Sequence, residues 1–303
     1  MGKTAFVFPG QGAQVIGMAK DFYDTFESSK EIFKQANEVL DVDIEKICFE
    51  EEDKINLTEY TQPALLTACV AMLQPVLEKK KPDVAAGLSL GEYTALVTCN
   101  VMNFKEAVAV TRKRGMYMQN EVPVGVGAMY AVLGTDREVI EEVCGAIEDV
   151  YVANYNCPGQ IIISGKAEAL EQAKEALTEK GARRIMPLKV SGPFHSGMLV
   201  GAGEKLAAEL ENVTVNDPEI PYVTNVTAEY VTDKAAVKDL LAKQVSSSVR
   251  WQESVEKMIA EGVDTFVEIG PGHTLANLIK KIDRQVTVLN IEKVEDLEKL
   301  SSL

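Results

Sequence analysis

The chain has 303 residues, 46% hydrophobic and 25% charged, an ordinary globular composition with room for one large core or for a main domain carrying a smaller one. Its 31 Lys and Arg against 46 Asp and Glu leave a net charge of −15, the wrong sign for general nucleic-acid binding. No apolar run approaches the ~20 residues of a membrane span, and the five cysteines form no C-x-x-C pair, so neither a membrane partner nor a metal site is expected.

The chain enters a short apolar run, Thr4–Phe8, with no charged lead or cleavage site before it. A buried strand, no signal peptide and a cytoplasmic location are expected. Pro9-Gly-Gln-Gly-Ala-Gln14 is too rich in glycine for regular structure. Phe22, Phe26, Phe33, Ala36 and Leu40 then share one helical face, in two pieces, and Asp41–Glu59 is acidic and irregular with short helical turns. Pro63 is expected to open the next helix, because Leu66, Cys69, Val70, Leu73 and Leu77 follow at i, i+3, i+4, i+7 and i+11. Pro75 is expected to kink its last turn, and Lys79–Pro82 reads as a solvated linker.

The most informative stretch follows. Val84–Ala86 is a short strand-like run, Gly87-Leu-Ser-Leu-Gly91 fits G-x-S-x-G, and Leu90, Tyr93 and Leu96/Val97 return at helical spacing. A serine between a strand and a helix in that pattern marks a nucleophile elbow. Glycine is needed on both sides, since a Cβ would block the close approach of strand to helix. A tight turn with an ordinary serine would carry the same five residues, so the placement between strand and helix is what favours the functional reading. Phe104–Asn120 is a further helix bearing Arg112, Lys113 and Arg114.

From Gly127 the rhythm changes. Strand Ala128–Leu133, helix Asp136–Ile147, strand Val150–Tyr155, a Pro158-Gly159 turn, strand Ile161–Ser164, helix Ala167–Lys180 and strand Arg183–Lys189 make a β-α-β-β-α-β unit, the ferredoxin-like order. It reads as a small domain, 127–189, inserted into a larger one formed by 1–126 and 190–303. Gly125, Gly127 and Gly192-Pro193 would make the crossings. The larger domain resumes with helix Met198–Leu210, an extended piece Ile220–Val226, and helices near Ala235–Val245 and Trp251–Glu261. Strand Thr265–Ile269, the turn Gly270-Pro-Gly272, helix Leu275–Ile282 and strand Val286–Leu289 complete it. The expected fold class is therefore α/β: a hydrolase-like large domain with a mostly parallel sheet, and an inserted ferredoxin-like domain.

A serine nucleophile needs a base, and the chain has two histidines. His195 lies in Ser191-Gly-Pro-Phe-His-Ser196 and His273 follows Gly270-Pro-Gly272; both sit on loops where open α/β sheets keep their sites, and the residues alone do not choose between them. No acidic residue announces itself as a third member, so a neutral carbonyl would have to orient the imidazole. Gly10-Gln-Gly12 fails as a dinucleotide fingerprint at Val15 and is better suited to supplying backbone N–H donors to an oxyanion. Arg114 is either solvated or a clamp for a substrate carboxylate.

Jointly the motifs stop looking generic. Phe8-Pro-Gly-Gln-Gly-Ala-Gln14, Thr61-Gln-Pro-Ala-Leu65, Gly87-Leu-Ser-Leu-Gly-Glu-Tyr93, Arg114-Gly115, Asn154-Tyr-Asn-Cys-Pro-Gly-Gln160, Pro193-Phe-His195, Gln244 before Val249-Arg-Trp251, and Glu268-Ile-Gly-Pro-Gly272 come in one order. From about Phe6 to Leu289 the chain strongly resembles the malonyl-CoA:acyl carrier protein transacylase family of type II fatty-acid synthesis. The resemblance implies that Ser89 is the nucleophile that becomes malonylated and His195 the general base and acid. It implies backbone N–H groups of Gln11 and Leu90 as the oxyanion hole, Arg114 as the carboxylate clamp, and Gln244 as the residue whose main-chain carbonyl orients His195. Gln62 and Asn156 would line the pocket, and Phe194 would crowd an α-methyl group. Leu88 departs from the histidine many members carry there, and His273 matches no catalytic position.

The implied reaction is a ping-pong transfer from malonyl-CoA to the phosphopantetheine thiol of acyl carrier protein, with no metal or redox cofactor, by a chain expected to be a monomer. An acidic carrier would dock on local positives, with Lys180, Arg183, Arg184 and Lys189, or Lys280, Lys281 and Arg284, as candidates. The competing readings are a stand-alone polyketide synthase acyltransferase, a serine thioesterase or hydrolase, and a catalytically idle carrier-protein scaffold.

Overall fold

The computed structural model describes residues 2–190 and 192–303; Ser191, the first residue of the His195 motif, lies outside the described residues. The first third contains β1 (Lys3–Phe8), α1 (Lys20–Thr25), α2 (Glu27–Val39), α3 (Ile44–Phe49), α4 (Glu52–Ile55), α5 (Thr58–Lys79), β2 (Val84–Gly87), α6 (Gly91–Thr98) and α7 (Phe104–Asn120). The middle contains β3 (Gly127–Leu133), α8 (Arg137–Ala146), β4 (Val150–Cys157), β5 (Gln160–Lys166), α9 (Ala167–Glu179) and β6 (Arg184–Pro187). The last third contains α10 (Val200–Leu210), β7 (Tyr222–Val223), β8 (Tyr230–Val231), α11 (Val237–Gln244), α12 (Trp251–Ala260), β9 (Val263–Ile269), α13 (Thr274–Ile282) and β10 (Thr287–Ile291), then a 3-10 stretch, Val294–Ser302.

The first sheet runs β10-β9-β1-β2-β7-β8 and is parallel except for the β7–β8 hairpin. Its two central strands are buried from Thr4 to Phe8 and from Val84 to Gly87, as expected for parallel strands covered on both faces. Period-two alternation divides their side chains between two cores. Phe6, Phe8 and Ala85 pack with the helices of the first third, whereas Ala5, Val7, Val84 and Ala86 pack with Trp251, Val255, Leu275 and Ile279 from α12 and α13.

The second sheet, β4-β5-β3-β6, is antiparallel throughout. Tyr130, Val132, Ile161 and Ile163 meet Ile140, Leu170 and Leu177 of α8 and α9 on one face. Their alternates Met129, Ala131 and Ile162 join the main core on the other. The sheet is thus sandwiched, and its inner face is available to line a site. Val249 ties it to the last third, donating to Ala153 O (2.8 Å) and accepting from Tyr155 N–H (2.9 Å). At the chain crossings, a Cβ on Gly127 would lie 2.4 Å from the Pro193 ring.

Two expectations are corrected. The long helix begins at Thr58, so Pro63 stands inside it and does not open it. A proline in a helix leaves the carbonyl four residues earlier without its donor. Here Arg112 Nη1 donates to the Glu59 carbonyl at 3.0 Å, and Ser29 Oγ donates to Ala71 O, the carbonyl freed by Pro75, at 2.8 Å. Distant side chains thus replace both lost hydrogen bonds, and α5 runs through both prolines to Lys79. The extended piece Ile220–Val226 shrinks to the two-residue strand Tyr222–Val223, because the chain turns at once into the β7–β8 hairpin. Thr224 still bonds across that hairpin, its N–H donating to Glu229 O at 3.2 Å, whereas Asn225 leaves the ladder and turns toward Ser89.

Candidate active site

Ser89 sits at the β2–α6 turn with φ +53°, a left-handed conformation that raises its hydroxyl above the chain. The flanking glycines serve approach. A Cβ on Gly87 would fall 1.9 Å from the Gly91 carbonyl carbon, and one on Gly91 2.2 Å from Phe8 O. Asn225 braces the turn from the far side: its Oδ1 accepts from Ser89 N–H at 2.6 Å and its Nδ2 donates to Gly87 O at 2.7 Å. The amides of Gly91, Glu92 and Tyr93 all close local turns. Those of Leu90 and Gln11 have no hydrogen-bond partner among the described residues. Both belong to loops at the C-terminal ends of adjacent parallel strands, where open α/β sheets bind ligands.

One of the two histidines lies beside Ser89. His273 is exposed. His195 is 4% exposed, and its Nε2 lies 2.8 Å from Ser89 Oγ while its Nδ1 lies 2.9 Å from Gln244 O. A carbonyl only accepts, so Nδ1 carries the hydrogen and Nε2 is left as the acceptor for the serine hydroxyl. Gln244 can do this because it ends α11, where carbonyls lack intrahelical donors; its oxygen takes only one other bond, a long one (3.4 Å) from Ser247 N–H. Burial, and next the nearby Arg114 cation, push the His195 pKa down to about 4. The imidazole is therefore neutral at pH 7, the form a general base requires.

Arg114 projects from α7 into the same cluster and is 1% exposed. Gly115 lets α7 approach α5 closely, since a Cβ there would lie 2.7 Å from Thr58 O. Nη1 of Arg114 then reaches Gln62 Oε1 at 2.7 Å, and Nη2 reaches Gln244 Oε1 at 2.9 Å and Ser89 Oγ at 3.3 Å. The guanidinium lies 5.6 Å from the Tyr93 ring centroid, and its Nε has no partner among the described residues. Every hydrogen-bonding partner is neutral, and burial draws the group below its usual pKa. Among the described residues no carboxylate forms an ion pair with it; the buried Glu92 carboxyl acts on it only through space.

A cavity of about 250 Å³ opens over the serine. Gln11, Gln62, Leu88, Met118, Phe194 and His195 line one side; Met129, Asn154, Asn156, Gln160 and Ile162 of the second sheet line the other. Asn156 Oδ1 is buried there without a partner among the described residues, and Gln11 is held by Nε2 donating to Thr58 Oγ1 at 3.0 Å. Of the site residues expected from the sequence, Gln11, Gln62, Ser89, Asn156, Phe194 and His195 line the cavity, while Arg114 and Gln244 reach Ser89 without lining it and Leu90 follows Ser89 in the turn. Together they bring a hydroxyl, a neutral imidazole, unpaired N–H donors and a cation close to one another.

Glu92 and Asn225 had been assigned nothing. Glu92 is fully buried on α6, its Oε2 accepting from Gln244 Nε2 at 2.6 Å and from Asn225 N–H at 3.0 Å, and burial pushes its pKa up to about 7. The available signal was a carboxylate in the first turn of the helix that follows the Ser89 turn. Asn225, 136 residues from Ser89, had no local signal.

An acyl transferase domain model matches residues 5–299. Malonyl CoA-acyl carrier protein transacylase of Bacillus subtilis (strain 168) is 45% identical over 98% of this chain and 96% of that protein. The crystal structure of MCAT from Streptococcus pneumoniae superposes with a TM-score of 0.96 at 45% identity, covering 99% of this chain and 100% of the other. A malonyl-transacylase solved in complex with a type II PKS acyl-carrier protein, PlMCAT:AntF, gives a TM-score of 0.96 at 38% identity over 99% of this chain and 100% of that one. With a mixed α/β fold, a mostly parallel sheet and a separate antiparallel sheet, the chain belongs to the acyl transferase domain family and, within it, to the malonyl CoA-acyl carrier protein transacylases.

Proposed function

We propose that this chain moves the malonyl group from malonyl-CoA to the phosphopantetheine thiol of acyl carrier protein through a malonyl-Ser89 ester, supplying fatty-acid synthesis. One observation carries the reading: Ser89 Oγ lies within hydrogen-bond reach of both the His195 base and the unmatched Arg114 cation. A nucleophile beside a buried cation suits an acyl group that ends in a carboxylate.

In the first half-reaction Arg114 pairs with the malonyl carboxylate and Ser89 Oγ attacks the thioester carbon while its proton passes to His195 Nε2. The oxyanion is received by the N–H groups of Gln11 and Leu90; one such donor is worth roughly 2.7–4 kcal/mol in the transition state. The carbon–sulfur bond then breaks, and CoA leaves as the thiol with the proton from His195. In the second half the carrier thiol gives its proton to His195 and attacks the ester, and Ser89 recovers the proton. Gln244 O holds the imidazole throughout, in place of an acid. A bound malonyl carboxylate also offsets the Arg114 charge, which makes protonation of His195 easier when it is needed. Gln62 steadies Arg114, Asn156 faces the acyl-pantetheine path, and Phe194 excludes an α-methyl group. The thioester is already activated, so the scheme needs no metal or redox cofactor.

We read 127–189 as an inserted ferredoxin-like domain in a hydrolase-like frame formed by 1–126 and 190–303. The β-α-β-β-α-β order and the separate core under α8 and α9 support this. Among the described residues no helix is long and apolar enough to cross a membrane, and a monomer in the cytoplasm is the working expectation. Lys180 is paired with Glu142 at 3.0 Å, which leaves Arg183, Arg184 and Lys189 as the better carrier contacts on that side. Lys189 is favoured because its neighbours Leu188 and Val190 line the cavity. The complex of a relative with a polyketide carrier supports a second reading, the same transfer to such a carrier.

The test is to mix the protein with malonyl-CoA, with and without holo carrier. One equivalent of CoA released without carrier, and continuous malonyl-carrier formation with it, is the expected result. Rapid continuing CoA release without carrier would make the protein a hydrolase. Comparing kcat/KM for fatty-acid and polyketide carriers separates the two pathways.

A further inference from the structure

Gln244 performs three tasks from one position. Its main-chain oxygen faces His195 Nδ1, its Oε1 faces Arg114 Nη2, and its Nε2 points behind the elbow. A side-chain amide has nearly the same shape when flipped, and the flipped form would set an NH₂ donor against the guanidinium donors. The acceptors on the far side decide the orientation. Nε2 lies 2.6 Å from Glu92 Oε2, 3.1 Å from Ser89 O and 3.3 Å from Asn225 Oδ1. Glu92 makes the shortest of these contacts, and its Oε2 also accepts from Asn225 N–H at 3.0 Å, fixing the residue that braces the Ser89 turn.

Glu92 is an expensive residue to keep for packing alone. It is fully buried, its Oε1 has no partner among the described residues, and it shares its surroundings with Tyr93, Tyr222 and, through space, the Arg114 cation, which only partly offsets the cost of burial. A carboxyl in such a place lowers stability relative to an apolar side chain of similar volume. It does not line the cavity, and its carboxyl makes no hydrogen bond to Ser89, His195 or Arg114.

We propose that Glu92 is a positioning residue for the transfer: its buried carboxyl holds the Gln244 amide in the one orientation that serves His195 and Arg114 together, and locks Asn225 against the elbow. The proposal rests on the transacylase reading above. It requires an acceptor at Oε2, and the acceptor need not be charged. In Glu92→Gln the amide oxygen keeps that role, and the new NH₂ takes the place of Oε1 beside the Thr224 hydroxyl, which meets the geometry of a full hydrogen bond with no other group among the described residues.

The experiment compares wild type, Glu92→Met and Glu92→Gln, with rates normalised to the fraction of chains that form a malonyl adduct by intact mass. Removing the acceptor should lower malonyl kcat/KM about tenfold or more. It should also shrink the preference for malonyl over acetyl groups, because Arg114 loses its alignment. Glu92→Gln should restore both to within about threefold, the cost of exchanging a charged acceptor for a neutral one. If Glu92→Met does not fold, Glu92→Asp, which withdraws the acceptor by one methylene, must show the same paired loss. A Met or Asp variant with wild-type rate per active site and unchanged preference overturns the positioning role and leaves the transacylase reading intact. So does a Gln variant as impaired as Met. A wild type that forms no malonyl adduct overturns both.

Discussion

Arg112 and Arg114 stand two residues apart on one helix, a rotation of about 200° that sends them to opposite sides. Arg112 enters a region where its charge is fully answered. Its Nε meets Asp41 at 3.1 Å, its Nη1 meets Glu59 at 2.8 Å and also the carbonyl freed by Pro63, and its guanidinium lies 4.6 Å from the Tyr60 ring centroid. Hydrogen bonding to Arg112 holds the Asp41 carboxyl below its usual range. Arg114 enters a region of amides, a serine and a ring; among the described residues no carboxylate is in ion-pair contact, and Glu92 acts on it only from behind Gln244. A buried cation with no directly paired counterion costs several kcal/mol. The first arginine is spent on structure. On the proposed function the second is kept for an anion that arrives and leaves, and it stands 3.3 Å from the Ser89 hydroxyl that would carry that anion's acyl group.

The largest effect should come from Arg114→Ala. A charge-assisted pair is worth ~1.5–3 kcal/mol, so kcat/KM for malonyl transfer should fall by roughly one to two orders of magnitude, and acetyl transfer far less. Equal losses for the two acyl groups in a steady-state assay would remove Arg114 from the clamp role. Arg112→Ala should reverse the pattern: about 2 kcal/mol of stability lost in a denaturant titration, from the partly exposed pairs and the orphaned Glu59 carbonyl, with kcat/KM per folded molecule unchanged. A large activity loss in that variant, at full stability, would dissolve the distinction between the two regions.

The smallest effect is on pH dependence. Acylation needs neutral His195, so its rate falls as pH drops through the histidine pKa, about 4 in the free protein. Arg114 contributes to that depression. Replacing it with Met should raise the pKa and move the acid limb of kcat/KM to higher pH, measured with acetyl-CoA to avoid the lost clamp. Arg112→Met should leave the limb in place. A limb that stays put in both variants would mean that the Arg114 charge does not reach the imidazole.

Short-range pattern made much of this legible in the sequence. The elbow followed from Gly87, Ser89 and Gly91, because strand, tight turn and helix all lie within one short stretch. The element order of the middle unit followed from alternating strand-like and helix-like stretches over 127–189. What escaped depended on partners far along the chain. The place of Pro63 inside α5 could not be read locally, since the donor that makes it tolerable, Arg112, lies 53 residues from the Glu59 carbonyl it serves. The β7–β8 hairpin was too short for any periodicity to register. Local pattern left His195 and His273 open, and only the family resemblance pointed to His195; the positions of Asn225 and Glu92 behind Ser89 emerge only once the loops after β2 and β7 and the end of α11 are brought to one point.

The central claim is that Ser89 accepts a malonyl group beside a cation that holds its carboxylate. Intact-mass spectrometry after brief exposure to malonyl-CoA tests it most directly. The account predicts a gain of one malonyl group that maps to Ser89, disappears in Ser89→Ala and is discharged by holo acyl carrier protein. A wild-type protein that gains no mass, or a Ser89→Ala variant that gains as much as wild type, would contradict it.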